Sequence, residues 1–189
     1  MTSVDPTNIP KLMTPCQLEW WVLFGICVAG KGAKQTEKKL NALLDWQEGG
    51  GGATPFQRIA YLMDNGKLGR TLRFHRIGQY KRINKAFRKA IILDLSYPTV
   101  EMFEAIPGIG PKTARMIMLY YNPQANCVPL DTHILKFLKE QGIPKVPKST
   151  PAAGPTYTRL EKEFQNIAAS VSLSVRELDT RVWKSYARI

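Results

Sequence analysis

A lysine and an aspartate lie close to a glycine-rich turn in this sequence, and both residue types can act directly in catalysis. Lys112 follows the turn in the first turn of a predicted helix, and Asp131 comes one short loop after that helix. A lysine amine is protonated and unreactive at neutral pH unless burial or the positive end of a helix disfavours its charge. An ionised Asp131 would stabilise positive charge in a transition state or activate a nucleophile. Each residue also has an ordinary role, Lys112 as a phosphate contact and Asp131 as a helix cap.

The turn itself, Pro107-Gly108-Ile109-Gly110, predicts a tight hairpin between two helices, with Ile109 packed between them. Its glycines adopt positive φ easily and let another backbone approach closely. The second helix should begin at Pro111, so free N–H groups and the helix dipole form an anion site there. The residues expected to bind phosphate at this hairpin are Gly108, Ile109, Gly110, Lys112 and Thr113. A plain turn between helices is the alternative.

The charge balance points to a polyanionic partner. The chain has 189 residues and a formal net charge of +12, from 27 Lys and Arg against 15 Asp and Glu. Nucleic acid is the first expectation and an anionic membrane surface the second. No acidic residue occurs between Asp64 and Asp94, although basic residues crowd residues 67–89. The basic residues expected to contact phosphates are Arg76, Lys81, Arg82 and Lys85. A solvated helix face is the alternative, but such faces usually mix charges of both signs.

The elements that must position these residues are helical. Thr14-Pro15 predicts a capped helix that is buried on most sides and ends near Gly30. A basic helix is expected from about Gln79 to Leu93, and Asp131 should cap a helix that runs to Glu140. Two more helices are expected near the C-terminus, at about 156–170 and 174–186. Because no stretch alternates like a strand, the sequence predicts an all-α fold.

Length and composition predict one domain over residues 1–189, made of two helical lobes. We expect residues 14–30 and 98–189 to form the lobe around the hairpin and residues 33–97 to form the other. A DNA-binding groove is expected between the lobes. A hydrophobic content of 44% is enough for a packed interior.

The cysteines and the apolar segments indicate an intracellular protein. Cys16, Cys27 and Cys127 are scattered, so they suggest neither a metal site nor a disulfide framework. Neither a secretory signal pattern nor an apolar run long enough for a bilayer is present. We therefore expect a monomer in the cytoplasm or nucleoid, with no cofactor and no bound metal.

Two segments closely resemble the helix-hairpin-helix/GPD superfamily of DNA base-excision glycosylases, with the endonuclease III branch as the nearest match. They are Ile106-Pro107-Gly108-Ile109-Gly110-x-Lys112-Thr113-Ala114 and Leu130-Asp131-Thr132-His133. The resemblance is strongest over residues 98–140, and Ile77-Gly78-x-Tyr80 extends it upstream. It implies a DNA glycosylase acting on double-stranded DNA, in which the aspartate matching Asp131 is catalytic. The lysine matching Lys112 forms a Schiff base in the bifunctional members, whose β-elimination step nicks the strand.

A glycosylase of this kind must take the target nucleotide out of the stack and hold it in a pocket. The residues expected to line that pocket are Lys31, Tyr80 and His133. Trp20 and Trp21 could also stack on a base, but large aromatic residues on a buried helix are more often part of the core.

Three departures from the resemblance bear on the reaction. No cysteine follows Cys127, whereas the endonuclease III iron–sulfur cluster needs four near the C-terminus. Pro111 occupies a position that is often polar or basic in the family. Ala29-Gly30-Lys31-Gly32 stands where the family often carries a glutamine that fills the gap left by the extruded base.

These departures leave other functions open. Some phage enzymes similar to this superfamily build hypermodified thymines, so a base-modifying transferase is one alternative. A non-catalytic DNA-binding module is another, and a basic protein of the membrane surface is the third.

Overall fold

The computed structural model describes residue 4 and residues 13–45 and 53–186, and the rest of the chain lies outside the described residues. Every regular element in these ranges is an α-helix, which confirms the all-α prediction. The helices are α1 Pro15–Val28, α2 Ala33–Leu44, α3 Pro55–Asp64, α4 Leu68–Phe74, α5 Tyr80–Ala90, α6 Val100–Glu104, α7 Pro111–Tyr121, α8 Thr132–Glu140, α9 Pro155–Ser170 and α10 Val175–Tyr186. None of the helices described is long and apolar enough to cross a bilayer.

Local capping explains where several helices begin. At α1, the Thr14 hydroxyl accepts a hydrogen bond from the Gln17 N–H, and the Gln17 side chain accepts one from the Thr14 N–H. Pro15 follows at the first helical position, where its missing N–H is no loss. The start predicted from Thr14-Pro15 is therefore confirmed. Thr54 and Gln57 make the same reciprocal pair at α3.

The first compact unit comprises the described residues 13–109 and contains α1 to α6. Helix α1 is buried on most of its sides, as predicted, because it packs against α2, α3 and α5. Trp20 and Trp21 are 4% and 1% exposed, and the Trp20 ring stacks on Phe24 at a centroid distance of 5.2 Å. Both tryptophans therefore belong to the core of this unit.

The second compact unit comprises the described residues 110–186 and contains α7 to α10. Helix α10 packs against α8 and α9, and the centre of the unit is filled by Leu119, Leu135, Leu138, Leu160 and Phe164. The division differs from the one expected from sequence, which grouped residues 14–30 and 98–109 with the later helices. The packing of α1 on α2, α3 and α5 explains the difference for the first helix.

Candidate active site and DNA-binding surface

The hairpin connects α6 to α7 through residues 105–110. Gly108 has a φ of 90°, a left-handed conformation that an L side chain rarely adopts. The Ile109 N–H donates to the Ile106 carbonyl at 3.0 Å, and Ile109 itself is buried. The tight reversal therefore requires glycine at position 108, and the buried side chain of Ile109 anchors the turn.

Helix α7 begins immediately after the hairpin with its first N–H groups unprotected by a side chain. Gly110 is the N-cap and provides no side-chain hydrogen bond, and Pro111 occupies the first helical position. The first-turn amides of a helix lack intrahelical acceptors and point toward the solvent at its positive end. Lys112 and Thr113 are half-buried in this turn, and the anion site expected at the start of α7 remains a prediction.

Arg82, which the sequence predicted to contact phosphate, is held by protein groups behind the hairpin. Its Nη2 donates to the Ile26 carbonyl at 2.7 Å and its Nε to Gln79 Oε1 at 2.6 Å. A Cβ added at Gly108 would lie 1.7 Å from Arg82 Nη1. In this structure the Arg82 guanidinium therefore lies close against Gly108, a contact that its charge alone did not reveal, and its role as a phosphate contact remains a prediction.

Asp131 caps α8, as the sequence predicted. Its Oδ1 accepts hydrogen bonds from the N–H groups of His133 and Ile134, each at 2.9 Å. Within the described residues its second carboxylate oxygen has no hydrogen-bond donor, and the residue is half-buried. Capping therefore uses one oxygen and leaves the other available, so the structural and the chemical roles of Asp131 are compatible.

The loop that delivers Asp131 is fixed by a buried tyrosine. The Tyr157 hydroxyl donates to the Val128 carbonyl at 2.8 Å and accepts from the Leu130 N–H at 3.1 Å. Burial raises the pKa of Tyr157, so its hydroxyl stays protonated and able to donate. Thr150 adds a hydrogen bond to the Leu130 carbonyl at 2.8 Å. Asp131 consequently follows a loop whose backbone has little freedom.

An ion pair connects the same loop to α7. Glu161 Oε1 accepts from Arg115 Nε at 2.9 Å and from the Val128 N–H at 2.8 Å. The Arg115 guanidinium also lies 4.5 Å from the centre of the Tyr157 ring. Because Arg115 and Lys112 share α7, this network sets the position of the loop relative to the helix that carries Lys112.

Asp179 on α10 shows that Lys112 and Asp131 lie in one electrostatic neighbourhood. It is 7% exposed, and burial together with the negative charge of Asp131 raises its pKa to about 7. The positive charges of Lys112 and Arg176 act on the same carboxyl in the opposite direction. Among the described residues Lys112 forms no ion pair of its own. Lys112 and Asp131 therefore both act electrostatically on Asp179, a buried carboxyl that is readily protonated.

Asp179 was not predicted from sequence. The signal that could have found it is its spacing with Val175, Leu178 and Val182, which places an acidic residue on the buried stripe of α10. Acidic residues are seldom buried, so an aspartate on the apolar face of a helix marks a candidate functional residue.

The three residues expected in a base pocket are divided between the two compact units. Lys31 lies in the first unit, where its Nζ donates to the carbonyls of Cys27 at 2.9 Å and Ile77 at 2.7 Å. Burial lowers the pKa of Lys31. Tyr80 is in the same unit, with the Arg73 guanidinium 5.7 Å from its ring centre. His133 lies in the second unit.

His133 is half-buried and its ring stacks on that of Tyr186, with centroids 6.1 Å apart and planes 12° from parallel. Lys31 has its amine occupied by two carbonyls, so it holds the end of α1 against the loop before α5. The assignment of Lys31, Tyr80 and His133 to a base pocket remains a prediction.

The basic residues of segment 67–89 are exposed, apart from Arg82. We call this set the basic segment: Lys67, Arg70, Arg73, Arg76, Lys81, Lys85, Arg88 and Lys89. Within the described part of the chain, none of them has a carboxylate partner within ion-pair distance. A shallow depression of about 480 Å³ brings Arg73 and Lys81 together with Tyr80. Unneutralised, clustered cations of this kind are the electrostatic footprint of a nucleic-acid surface.

Comparisons with known proteins agree with this geometry. The family model described as helix-hairpin-helix motif matches residues 95–120, which confirms the motif predicted from sequence. The crystal structure of 8-oxoguanine DNA glycosylase from Methanocaldococcus jannaschii is similar, with a TM-score of 0.63, 19% identity and coverage of 92% of this chain and 80% of that chain. No curated protein matches the sequence significantly.

A second similar structure is the 8-oxoguanine glycosylase/lyase of the same organism in complex with a 15mer DNA containing 8-oxoguanine. Its TM-score is 0.60 and its identity 17%, with coverage of 96% of this chain and 84% of that chain. The chain therefore has the helical glycosylase fold predicted from the resemblance. At these identities the likeness establishes the fold.

Proposed function

We propose that this protein is a DNA glycosylase with AP lyase activity, which removes a damaged or modified base from double-stranded DNA. The observation that carries the proposal is the common neighbourhood of Lys112, Asp131 and Asp179 in a chain with a helix-hairpin-helix motif. The glycosylase fold supports it. One similar structure contains DNA with 8-oxoguanine, which makes 8-oxoguanine the first base to test.

The proposed reaction uses Lys112 as the nucleophile. Its neutral amine attacks C1′ of the extruded nucleotide, the C1′–N bond breaks, and the base leaves with the bonding electrons and takes up a proton. The new C1′ amine loses a proton, and its electron pair expels O4′, which takes up a proton, so that the sugar ring opens and a Schiff base forms on Lys112. β-Elimination then removes a proton from C2′ and breaks the C3′–O bond, the phosphate leaves with the bonding electrons and the strand is nicked. Hydrolysis of the imine by water releases the lysine.

Asp131 supplies electrostatic stabilisation in this scheme. Positive charge develops at the sugar as the C1′–N bond breaks, and a nearby carboxylate lowers the energy of that transition state. The hydrogen bonds from the N–H groups of His133 and Ile134 hold the carboxylate fixed in direction. Its free oxygen is the atom assigned to face the sugar.

DNA binding is assigned to the hairpin amides and to the basic segment. Gly108, Gly110 and the first turn of α7 would hold one phosphate, and the exposed cations would hold others. Double-stranded DNA is thus the proposed partner of a monomeric enzyme that needs no cofactor and works in the cytoplasm or nucleoid.

The test is incubation with duplexes that carry 8-oxoguanine or one of a panel of other damaged and modified bases. We expect a free base and a nicked strand from at least one duplex, and we expect Asp131→Asn to abolish base release. Asparagine is also a good helix cap, so this variant should keep its fold and its DNA affinity. Lys148→Ala, an exposed lysine in the same unit, is the matched control for Lys112→Ala.

Mass spectrometry of the nucleosides separates the alternatives. A new modified nucleoside with its glycosidic bond intact would replace the proposal by a base-modifying transferase. DNA binding without any chemical change, unaffected by Asp131→Asn, would indicate a non-catalytic module.

A further inference from the structure

Phe74 is a large apolar side chain that the fold leaves in water. It ends α4 and is 81% exposed, and the ring contact recorded for it among the described residues is an edge-on approach to His75 at 5.0 Å. Single exposed apolar residues are common on protein surfaces and need no explanation by themselves. The exposure of Phe74 becomes informative because of its backbone and its charged surroundings.

The backbone holds Phe74 rigidly. After α4, the Arg76 N–H donates to the Arg73 carbonyl and the Ile77 N–H to the Leu72 carbonyl, both at 3.0 Å. Arg76 has a φ of 51°, so these bonds form the left-handed Schellman ending, in which glycine is the usual residue. Leu72 and Ile77 are both buried and anchor the turn. Phe74 therefore projects from a fixed turn and loses little freedom on binding a partner.

The surroundings of Phe74 are strongly cationic. Lys67, Arg70, Arg73 and Arg76 precede or follow it closely, and all four are exposed. No acidic residue lies between Asp64 and Asp94 to neutralise them. Their charge disfavours a basic or neutral protein partner and attracts a polyanion. An apolar aromatic ring between phosphate-binding cations fits nucleic acid, because the ring stacks on bases while the cations contact the backbone.

We propose that Phe74 inserts into the base stack of bound double-stranded DNA. The inference rests on the proposed function, which requires a nucleotide to leave the stack. It adds a residue that the sequence motifs do not mark, since Phe74 lies upstream of both the hairpin and Ile77-Gly78-x-Tyr80.

The test uses a duplex with an abasic-site analogue and a neighbouring 2-aminopurine, whose fluorescence rises when it is unstacked. We compare the wild type with Phe74→Ala, Phe74→Trp and Ile92→Ala. Ile92 is the matched control because it is 79% exposed and apolar but lies outside the basic segment. Phe74→Ala should lose most of the fluorescence increase and weaken binding roughly 5- to 150-fold, the range expected for loss of one stacked aromatic.

Phe74→Trp should retain the signal, and Ile92→Ala should behave as the wild type. The salt dependence of binding should stay unchanged in Phe74→Ala, because the substitution removes no phosphate contact. Since the ring is exposed, the melting temperature of Phe74→Ala should also match the wild type.

Three results would overturn the inference. One is a Phe74→Ala variant that unstacks and binds DNA as well as Ile92→Ala does. Another is loss of binding to phosphatidylserine vesicles in Phe74→Ala without any loss of DNA binding, which would assign the ring to a membrane. The last is a wild type that binds no DNA, in which case the proposed function fails first and the insertion fails with it.

Discussion

Replacing Asp179 by asparagine should stabilise the protein in mildly alkaline solution and have little effect in acid. Asp179 is 7% exposed on α10, and burial followed by the charge of Asp131 raises its pKa from 3.8 to about 7. The folded protein thus resists ionisation of this carboxyl, whereas the unfolded chain does not. Asparagine keeps nearly the same shape and carries no charge at any pH.

The sign and size of the effect follow from this difference in pKa. Below 3.8 Asp179 is protonated in both states and its burial carries no penalty from ionisation. As the pH rises through 3.8 the unfolded chain ionises first, so the folded state loses relative stability until the pH passes about 7. At about 1.4 kcal/mol per pH unit, the full penalty is on the order of 4 kcal/mol.

The assay is urea unfolding of the wild type and Asp179→Asn at about pH 4 and about pH 8, where linkage predicts the smallest and the largest difference. Asp64→Asn, which changes an exposed aspartate, is the control and should show no comparable change with pH. The reasoning about the buried carboxyl would be refuted if the difference in unfolding free energy between Asp179→Asn and the wild type were the same at both pH values. It would also be refuted if Asp179→Asn were less stable than the wild type at about pH 8.

Other consequences concern the hairpin, the loop and the thiols. Gly108→Ala should lower the free energy of unfolding by about 2 kcal/mol, because φ is unfavourable for alanine and the new methyl meets a guanidinium. Gly110→Ala, whose Cβ would meet nothing within 4 Å, should cost less in the same urea experiment, since only the weaker preference for glycine over alanine at an N-cap is lost. Tyr157→Phe should cost about 1–3 kcal/mol and lower kcat more than it raises KM, because it leaves buried backbone groups unpaired and loosens the loop. Cys16 should react rapidly with a disulfide reagent at about pH 8 in the native protein, whereas Cys27 should not, since burial raises the pKa of Cys27 to about 12.

These expectations have clear contrary results. Equal destabilisation by alanine at 108 and at 110 would remove the argument from backbone conformation. A tyrosine variant with normal kcat would show that the loop does not position the candidate carboxylate. Fast modification of the buried thiol in the native protein would show that α1 is not packed as described.

The features that could be predicted from sequence are those fixed by neighbouring residues. The starts of α1 and α8 were predicted because Thr14-Pro15 and Asp131 cap their own helices through bonds to residues two or three positions away. The hairpin was predicted for the same reason. The basic helix was expected from about Gln79 to Leu93 but spans Tyr80–Ala90, a difference at its ends where local signals are weakest.

The features that escaped prediction depend on contacts between distant residues. Helix α4 is short, and the left-handed residue that follows its end is Arg76, where glycine is usual, so neither the length nor the end of the helix was visible in the sequence. The hydrogen bond from the Arg82 guanidinium to the Ile26 carbonyl escaped prediction, because it joins residues that are far apart in the sequence. Asp179 could not be assigned to the candidate site from sequence, because only the packing of α10 against α8 brings it under the influence of the Asp131 charge.

The central claim is that Lys112 attacks the sugar, and borohydride trapping tests it most directly. The protein is incubated with sodium borohydride and a duplex that carries either an abasic site or a base that the protein removes. Covalent complexes are then separated by denaturing electrophoresis. Our account predicts a trapped protein–DNA adduct with the wild type and with Lys148→Ala, and none with Lys112→Ala. Absence of an adduct with the wild type, or an undiminished adduct with Lys112→Ala, would contradict it.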